Sequence, residues 1–149
     1  MAVPALRETR PDPIVYRRIV VPLEDDGESE LGVALAAELA PEKGAAITVV
    51  VVIEVPAELP LDAHMHAEEE LAQRALEKAS AIGAARGLRL RSRIVRARSR
   101  GEAIVAEAEA ADADLVVVRS SRPTGTALFD RTVDHVLRHA SCRVLVLRR

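Results

Sequence analysis

The chain has 149 residues, of which 49% are hydrophobic and 30% are charged, and its formal net charge is −2. It contains one tyrosine, one phenylalanine and no tryptophan, which excludes the ring-lined sites that stack nucleobases or cage organic cations. The small net charge argues against a general electrostatic attraction to nucleic acid or anionic lipid, so neither partner is predicted.

The start of the chain, residues 1–15, is predicted to be a flexible lead-in, because it holds three prolines and no apolar period. It also lacks the apolar stretch of a signal peptide. The single cysteine, Cys142, cannot form an internal disulfide, and the longest mainly apolar run, residues 45–53, is too short to cross a bilayer. We therefore expect a cytoplasmic protein without membrane insertion.

The first half of the chain alternates between strand and helix patterns. A β-branched run at residues 17–23 predicts a buried strand that ends in an acidic loop. From Ser29 the apolar spacing becomes helical and predicts one buried face, while Pro41 and Gly44 end that helix. The members of this face are Leu31, Ala34, Leu35 and Leu39. A continuous strand over 46–55 and a long helix over about 66–86 follow.

The second half continues the alternation. Residues 88–95 alternate aliphatic side chains with arginines, which is typical of an edge strand with one wet face. A helix follows over about 101–111, and then a buried strand over 115–118. The pattern ends with a fourth helix and a strand over 144–147. The apolar face of that helix is formed by Val133, Val136, Leu137 and Ala140. This order predicts an α/β fold with a doubly wound, five-stranded parallel sheet in the order 3-2-1-4-5, formed by residues 16–149.

In such a sheet a ligand binds beyond the carboxyl ends of the strands, where the strand order reverses. That point lies between the first and fourth strands. An acidic loop, residues 24–28, and a loop of arginines and hydroxyls, residues 119–126, are predicted to meet there.

Three segments resemble universal stress protein domains. The run 19–24 looks like their opening strand, a hydrophobic run followed by Val-Pro and an acidic residue, and 113–118 resembles their fourth strand. The stretch 132–146 is very similar to their closing helix and strand. The resemblance implies a Rossmann-like fold and a role in stress response. Through residues 52–56 it extends to universal stress domains appended to amino-acid and cation transporters.

The resemblance also implies a test for nucleotide binding, since the family divides into ATP binders and non-binders. Binders carry a glycine after the fourth strand, another three residues later, and Gly-Ser or Gly-Thr at the start of the last helix. Glycines there let backbone N–H groups close on phosphates. This chain has Arg119 and Arg122 at the glycine positions and Asp130-Arg131 at the Gly-Ser position. It is thus of the type that lacks an intact glycine motif.

Two interpretations of this altered site remain open. In one, Arg119, Arg122 or Arg131 pairs with an acidic residue of the loop that starts at Glu24 and closes the pocket. In the other, those arginines bind the phosphates of ATP or AMP side-on, as guanidinium groups do. The candidate nucleotide residues at this pocket are Glu24, Val51, Arg119, Ser120, Arg122, Gly125, Arg131 and Thr132.

The remaining motifs predict no catalytic or metal site. Seven arginines and no acids lie between Arg86 and Arg100. Three of them, Arg89, Arg91 and Arg93, are expected to guard an exposed sheet edge, and a nucleic-acid or membrane patch is the less favoured interpretation. Two histidine pairs lack further ligands at the spacing of a metal site. They are His135 with His139 and His64 with His66. No nucleophile elbow, Walker loop or Cys-His couple is present. The chain is predicted not to be an enzyme, with slow ATP hydrolysis left open but without a candidate base.

The last strand points to self-association. Its residues Val144, Leu145, Val146 and Leu147 are apolar on both faces, yet the strand lies at an edge of the predicted sheet, which makes it a template for pairing. We expect a homodimer through this strand. The first interpretation of function is a dimeric, non-catalytic regulatory or interaction module in stress response. The alternative is a nucleotide-binding sensor module, linked to a transporter.

Overall fold

The structure is a computed structural model and describes residues 14–24, 29–40, 44–120 and 129–148. Five strands alternate with four helices along these residues. The elements are β1 (Arg18–Leu23), α1 (Ser29–Leu39), β2 (Ala46–Glu54), α2 (His66–Ala85), β3 (Leu90–Ala97), α3 (Arg100–Ala110), β4 (Leu115–Ser120), α4 (Arg131–His139) and β5 (Arg143–Arg148). The predicted lead-in lies almost wholly outside the described residues and stays a prediction.

The sheet confirms the predicted topology. Its order is β3-β2-β1-β4-β5 and every neighbouring pair is parallel. The chain reverses direction across the sheet between β1 and β4, so the carboxyl ends of these two strands flank the expected ligand position. None of the helices in the described ranges is both long and apolar enough to span a membrane.

Two aliphatic cores lie on opposite faces of the sheet. Helices α1 and α2 cover one face, where side chains such as Val21 and Val49 are buried. Helices α3 and α4 cover the other face, where Val20 and Val50 are buried. Successive residues of a strand point to opposite faces, so a run such as 49–52 supplies both cores. This explains why β2 shows no polar alternation before its last residue.

The predicted buried face of α1 is wrong: none of its four residues is fully buried, although Leu35 and Leu39 are partly buried and pack against the core. Leu31 is 59% exposed, whereas Val33 and Ala36 are fully buried. A Cβ added to Gly32 would lie 3.3 Å from Cγ1 of Val21. Gly32, which has no side chain, therefore lets the helix approach the sheet closely. With Gly32 on the inner face, the larger Leu31 lies on the outer one.

Asp114 connects the starts of β1 and β4. Its Oδ2 accepts a hydrogen bond from the backbone N–H of Arg17 at 2.9 Å, and its Oδ1 accepts one from that of Arg18 at 3.1 Å. The backbone N–H of Asp114 in turn donates to the carbonyl of Arg18 at 2.9 Å. These three bonds fix how the two strands align at the end opposite the candidate site.

Candidate functional site

The carboxyl ends of β1 and β4 meet the N-termini of α3 and α4 at a small cavity. Its polar lining consists of Glu24, Arg100, Arg119, Asp130 and Thr132. The structure thus brings together the predicted residues Glu24, Arg119 and Thr132. The cavity volume is about 30 Å³, which is room for one or two water molecules and far below that of a typical ligand pocket.

An ion pair crosses this cavity. Nη1 of Arg100 donates to Oε1 of Glu24 at 3.0 Å, and the two side chains are 33% and 41% exposed. The backbone N–H of Arg100 also donates to Oε1 of Glu54 at 2.9 Å. Arg100 is the first residue of α3, directly after Ser99, whose hydroxyl accepts a hydrogen bond from the N–H of Glu102.

Arg100 was not among the arginines predicted for this site. Sequence reasoning considered Arg119, Arg122 and Arg131, which lie near the fourth strand. Its position in the sequence could have identified it. Arg100 begins a helix that follows a parallel strand, and such helix starts lie at the same edge of the sheet as the acidic loop.

Asp130 caps the N-terminus of α4. It has extended backbone angles, φ −66° and ψ 168°, and its Oδ1 accepts a hydrogen bond from the N–H of Val133 at 2.9 Å. The carboxylate therefore satisfies a backbone donor at the helix start and lies at the positive end of the helix dipole. A phosphate at this helix start would compete for the same donor and face a like charge.

A larger cavity adjoins the first one and shares Glu24 and Arg100 with it. Its volume is about 410 Å³, within the range of small-molecule sites. The walls are mainly aliphatic, and carboxylates of Glu54 and Glu68 stand at its rim. The aliphatic lining includes Leu23, Val51, Met65 and Leu71. The predicted residue Val51 thus lies beside the small cavity rather than in it.

A model of the universal stress protein family matches residues 15–148. The chain belongs to the universal stress protein family. This membership assigns it to the stress-response domains and accounts for the sheet order found here.

Solved structures of universal stress proteins share the fold. One in complex with cAMP is 20% identical, with a TM-score of 0.66, and the match covers 90% of this chain and 98% of that one. One from Archaeoglobus fulgidus in complex with dAMP is 20% identical, with a TM-score of 0.70 over 89% and 98% of the two chains. One from Burkholderia pseudomallei is 25% identical, with a TM-score of 0.68 over 89% and 96%. No curated protein matches the chain at a significant level.

The other predicted site residues of this universal stress protein domain lie apart. Arg131 lines a groove of about 550 Å³ between the starts of α3 and α4, opposite Arg98. Ser120 is 7% exposed at the end of β4. Arg122 and Gly125 lie outside the described residues.

Each of the two histidine pairs brings its rings together. The ring centroids of His135 and His139 are 4.3 Å apart and those of His64 and His66 are 5.5 Å apart. Within the described ranges, no three His, Cys, Asp or Glu side chains converge as metal ligands do. On the same helix as His135, Nε of Arg138 donates to Oδ2 of Asp134 at 2.9 Å, an i,i+4 pair.

The arginines of residues 86–100 divide into two groups. Five of the seven are engaged within the chain: Arg86 pairs with Glu38, Arg93 with Glu107, Arg96 with Glu69 and Arg100 with Glu24, while Arg98 donates to backbone carbonyls. Arg89 and Arg91 are exposed and have no ion-pair partner among the described residues. Most of the positive charge in this stretch therefore serves the fold.

Proposed function

We propose that this universal stress protein domain is a homodimeric, non-catalytic regulatory module of the cytoplasmic stress response, and that its own side chains close its switch point to nucleotides. The observation that carries the proposal is the cap of α4. The carboxylate of Asp130 occupies the helix start at which a phosphate would bind.

The surrounding charges support the same conclusion. Glu24 and Arg100 form an ion pair in the lining of this cavity, so the charge of Arg100 is already paired with a carboxylate. A nucleotide phosphate would have to displace Asp130 and separate this pair. The cavity of about 30 Å³ offers no space for it without such a rearrangement.

A nucleotide search on the purified protein tests the proposal. The protein is denatured and the supernatant examined for released nucleotide, and the native protein is then titrated with ATP and with AMP by calorimetry. We expect no released nucleotide and dissociation constants weaker than about 1 mM. Release of nucleotide, or micromolar binding by the unchanged chain, would contradict the proposal.

Two matched variants test whether the carboxylate of Asp130 is what excludes nucleotide. Asp130→Ser retains a capping hydroxyl but removes the carboxylate, and we expect it to bind ATP at least about tenfold more tightly than the unchanged chain. Asp134→Ser removes a carboxylate one turn further along α4 and serves as the control. Equal affinities for both variants would show that Asp130 does not exclude phosphate.

A nucleotide-binding sensor is the second candidate, in which bound ATP or AMP controls a partner such as a transporter. The cavity of about 410 Å³ favours it, because aliphatic walls such as Leu23 and Val51 could hold a nucleobase without an aromatic ring. The related structures with cAMP and dAMP also favour it. The calorimetric titration separates the two candidates, because only the sensor binds nucleotide at cellular concentrations.

A further inference from the structure

Strand β3 forms one edge of the sheet and is long. All eight of its residues, Leu90–Ala97, are in register with β2 on one side. On its other side no described strand pairs with it. The backbone N–H and C=O groups that point away from β2 are therefore available to an added strand.

One face of this edge forms a mixed groove with α2, in which Ile94 is the exposed aliphatic side chain. Ile94 is 41% exposed and lines, together with Leu76, a groove of about 520 Å³. The other lining side chains are polar and uncharged except for Glu77, and comprise Gln73, Ser80 and Ser92. A side chain that enters this groove beside Ile94 would find aliphatic contact and, in Glu77, a single carboxylate that does not favour an acidic side chain on this face.

The opposite face of the same edge is basic. Arg91 and Arg93 alternate with Ser92 and Ile94 and so point toward the α3 side. Nε of Arg93 is 2.6 Å from Oε2 of Glu107, whereas Arg91 and the neighbouring Arg89 are exposed without a described carboxylate partner. The guanidinium group of Arg91 therefore lies unneutralised on this face of the free edge, and Arg89 lies exposed directly before the strand.

We propose that β3 binds an extended segment of a partner protein in which acidic and aliphatic residues alternate, adding it to the sheet as a sixth strand. In such a strand, side chains point alternately to the two faces. Aliphatic residues would enter the groove beside Ile94, and acidic residues would face Arg89 and Arg91. The inference rests on the proposed role as a non-catalytic regulatory module, and its test does not depend on ATP or AMP binding, so the two can fail separately.

The charges select against two other occupants. A second copy of β3, paired across the same edge, would bring arginines of both strands together, and like charges in cross-strand neighbours are destabilising. Nucleic acid would find few free cations, because five of the seven arginines in residues 86–100 are engaged within the chain. On the other face it would meet the aliphatic side chain of Ile94 and the carboxylate of Glu77, where it needs phosphate contacts.

The test is a titration of the full-length protein with a fluorescent peptide. The peptide alternates glutamate and valine over the length of β3, and its control has the same composition with the glutamates in one block. We expect the alternating peptide to bind at least about tenfold more tightly by fluorescence anisotropy. It should also shift the backbone amide NMR signals of Leu90–Ala97 more than those of β5.

Two variants and one control assign the binding to this edge. Arg91→Glu should weaken binding about tenfold, because it replaces attraction by repulsion, and Ile94→Thr should weaken it through loss of apolar contact. Arg74→Glu makes the same charge change on the exposed surface of α2 and should leave the affinity unchanged. Four outcomes would overturn the proposal: equal binding of both peptides, no effect of Arg91→Glu, shifts confined to β5, or tighter binding of a labelled single-stranded oligonucleotide. The first three outcomes would leave the arginines as guards of an exposed edge, and the fourth would assign them to nucleic acid.

Discussion

Asp114 links two strands through one side chain, since its carboxylate accepts the backbone N–H groups of Arg17 and Arg18. Asp114→Ala removes both acceptors, and we expect a loss of about 1–3 kcal/mol in the free energy of unfolding. Asp114→Asn keeps one acceptor and should lose less. Urea denaturation followed by circular dichroism measures both, with Asp62→Ala in an exposed loop as the control. Equal stability of the Asp114→Ala and control proteins would contradict this role.

Cys142 is the single thiol, and its pKa is raised by burial and further by the nearby carboxylate of Asp114, although a backbone hydrogen bond opposes the shift. The folded protein therefore holds the thiol proton more tightly than the unfolded chain. The protonated thiol therefore contributes to the free energy of unfolding. This contribution has its full value below the pKa of the thiol in the unfolded chain, and it is lost as the pH rises through the higher pKa of the folded protein.

The expected result is slow modification of Cys142 at neutral pH. The rate with a disulfide reagent should stay below that of the urea-unfolded protein at pH 7, because less thiolate is present. It should then rise with pH through a pKa above that of the unfolded chain. Asp114→Asn should move this rise to lower pH. Identical pH profiles for folded and unfolded protein would contradict the assignment.

At the scale of elements, the loop between β2 and α2, residues 55–65, is held by two arginines at the end of β3. Nη1 of Arg98 donates to the carbonyls of Val55 at 3.2 Å and Leu59 at 2.7 Å, and also to that of Pro56. Nη1 of Arg96 donates to the carbonyl of Ala63 at 2.7 Å. This loop borders the cavity of about 410 Å³ through Pro56 and Met65.

Arg98→Ala should therefore loosen this loop without unfolding the sheet. We expect faster amide hydrogen exchange over residues 56–65 and unchanged exchange in β1 and β4. Arg98→Lys should restore only part of the protection, because an ammonium group cannot reproduce the planar set of donors. Arg89→Ala, at an exposed arginine of the same stretch, is the control. Unchanged exchange in Arg98→Ala would show that the loop does not depend on this side chain.

The elements were predictable from the sequence to within a few residues, because apolar runs and helical spacing mark strands and helices directly. The rotation of α1 was not, since Leu31 and Val33 are both apolar and only the small Gly32 decides which face approaches the sheet. The partner of Glu24 was not predictable either. Arg100 is 76 residues away, and composition cannot distinguish it from the arginines nearer to β4. Such choices depend on three-dimensional geometry that periodicity does not encode.

At the scale of the whole molecule, β5 is the second edge of the sheet, and its four central residues, 144–147, are partly buried aliphatics. We expect light scattering at micromolar concentration to give twice the chain mass of 16.1 kDa, with two β5 strands joined antiparallel. Val146→Lys should weaken this dimer at least about tenfold. Ile94→Lys, the same change on the other edge, should not. A monomer mass for the unchanged chain would contradict this association.

The two aliphatic cores have a consequence for how the strands find their alignment. In most sheets, a shift of one residue exposes apolar side chains, and this penalty selects the correct pairing. In β2, a shift would exchange Val49 and Val51 for Val50 and Val52, and these four side chains would remain buried among aliphatics. Burial of these residues therefore distinguishes only weakly between the native alignment and one shifted by one residue. For β1 and β4, the hydrogen bonds between Asp114 and the backbone of Arg17 and Arg18 favour the native pairing, because a shift would break them.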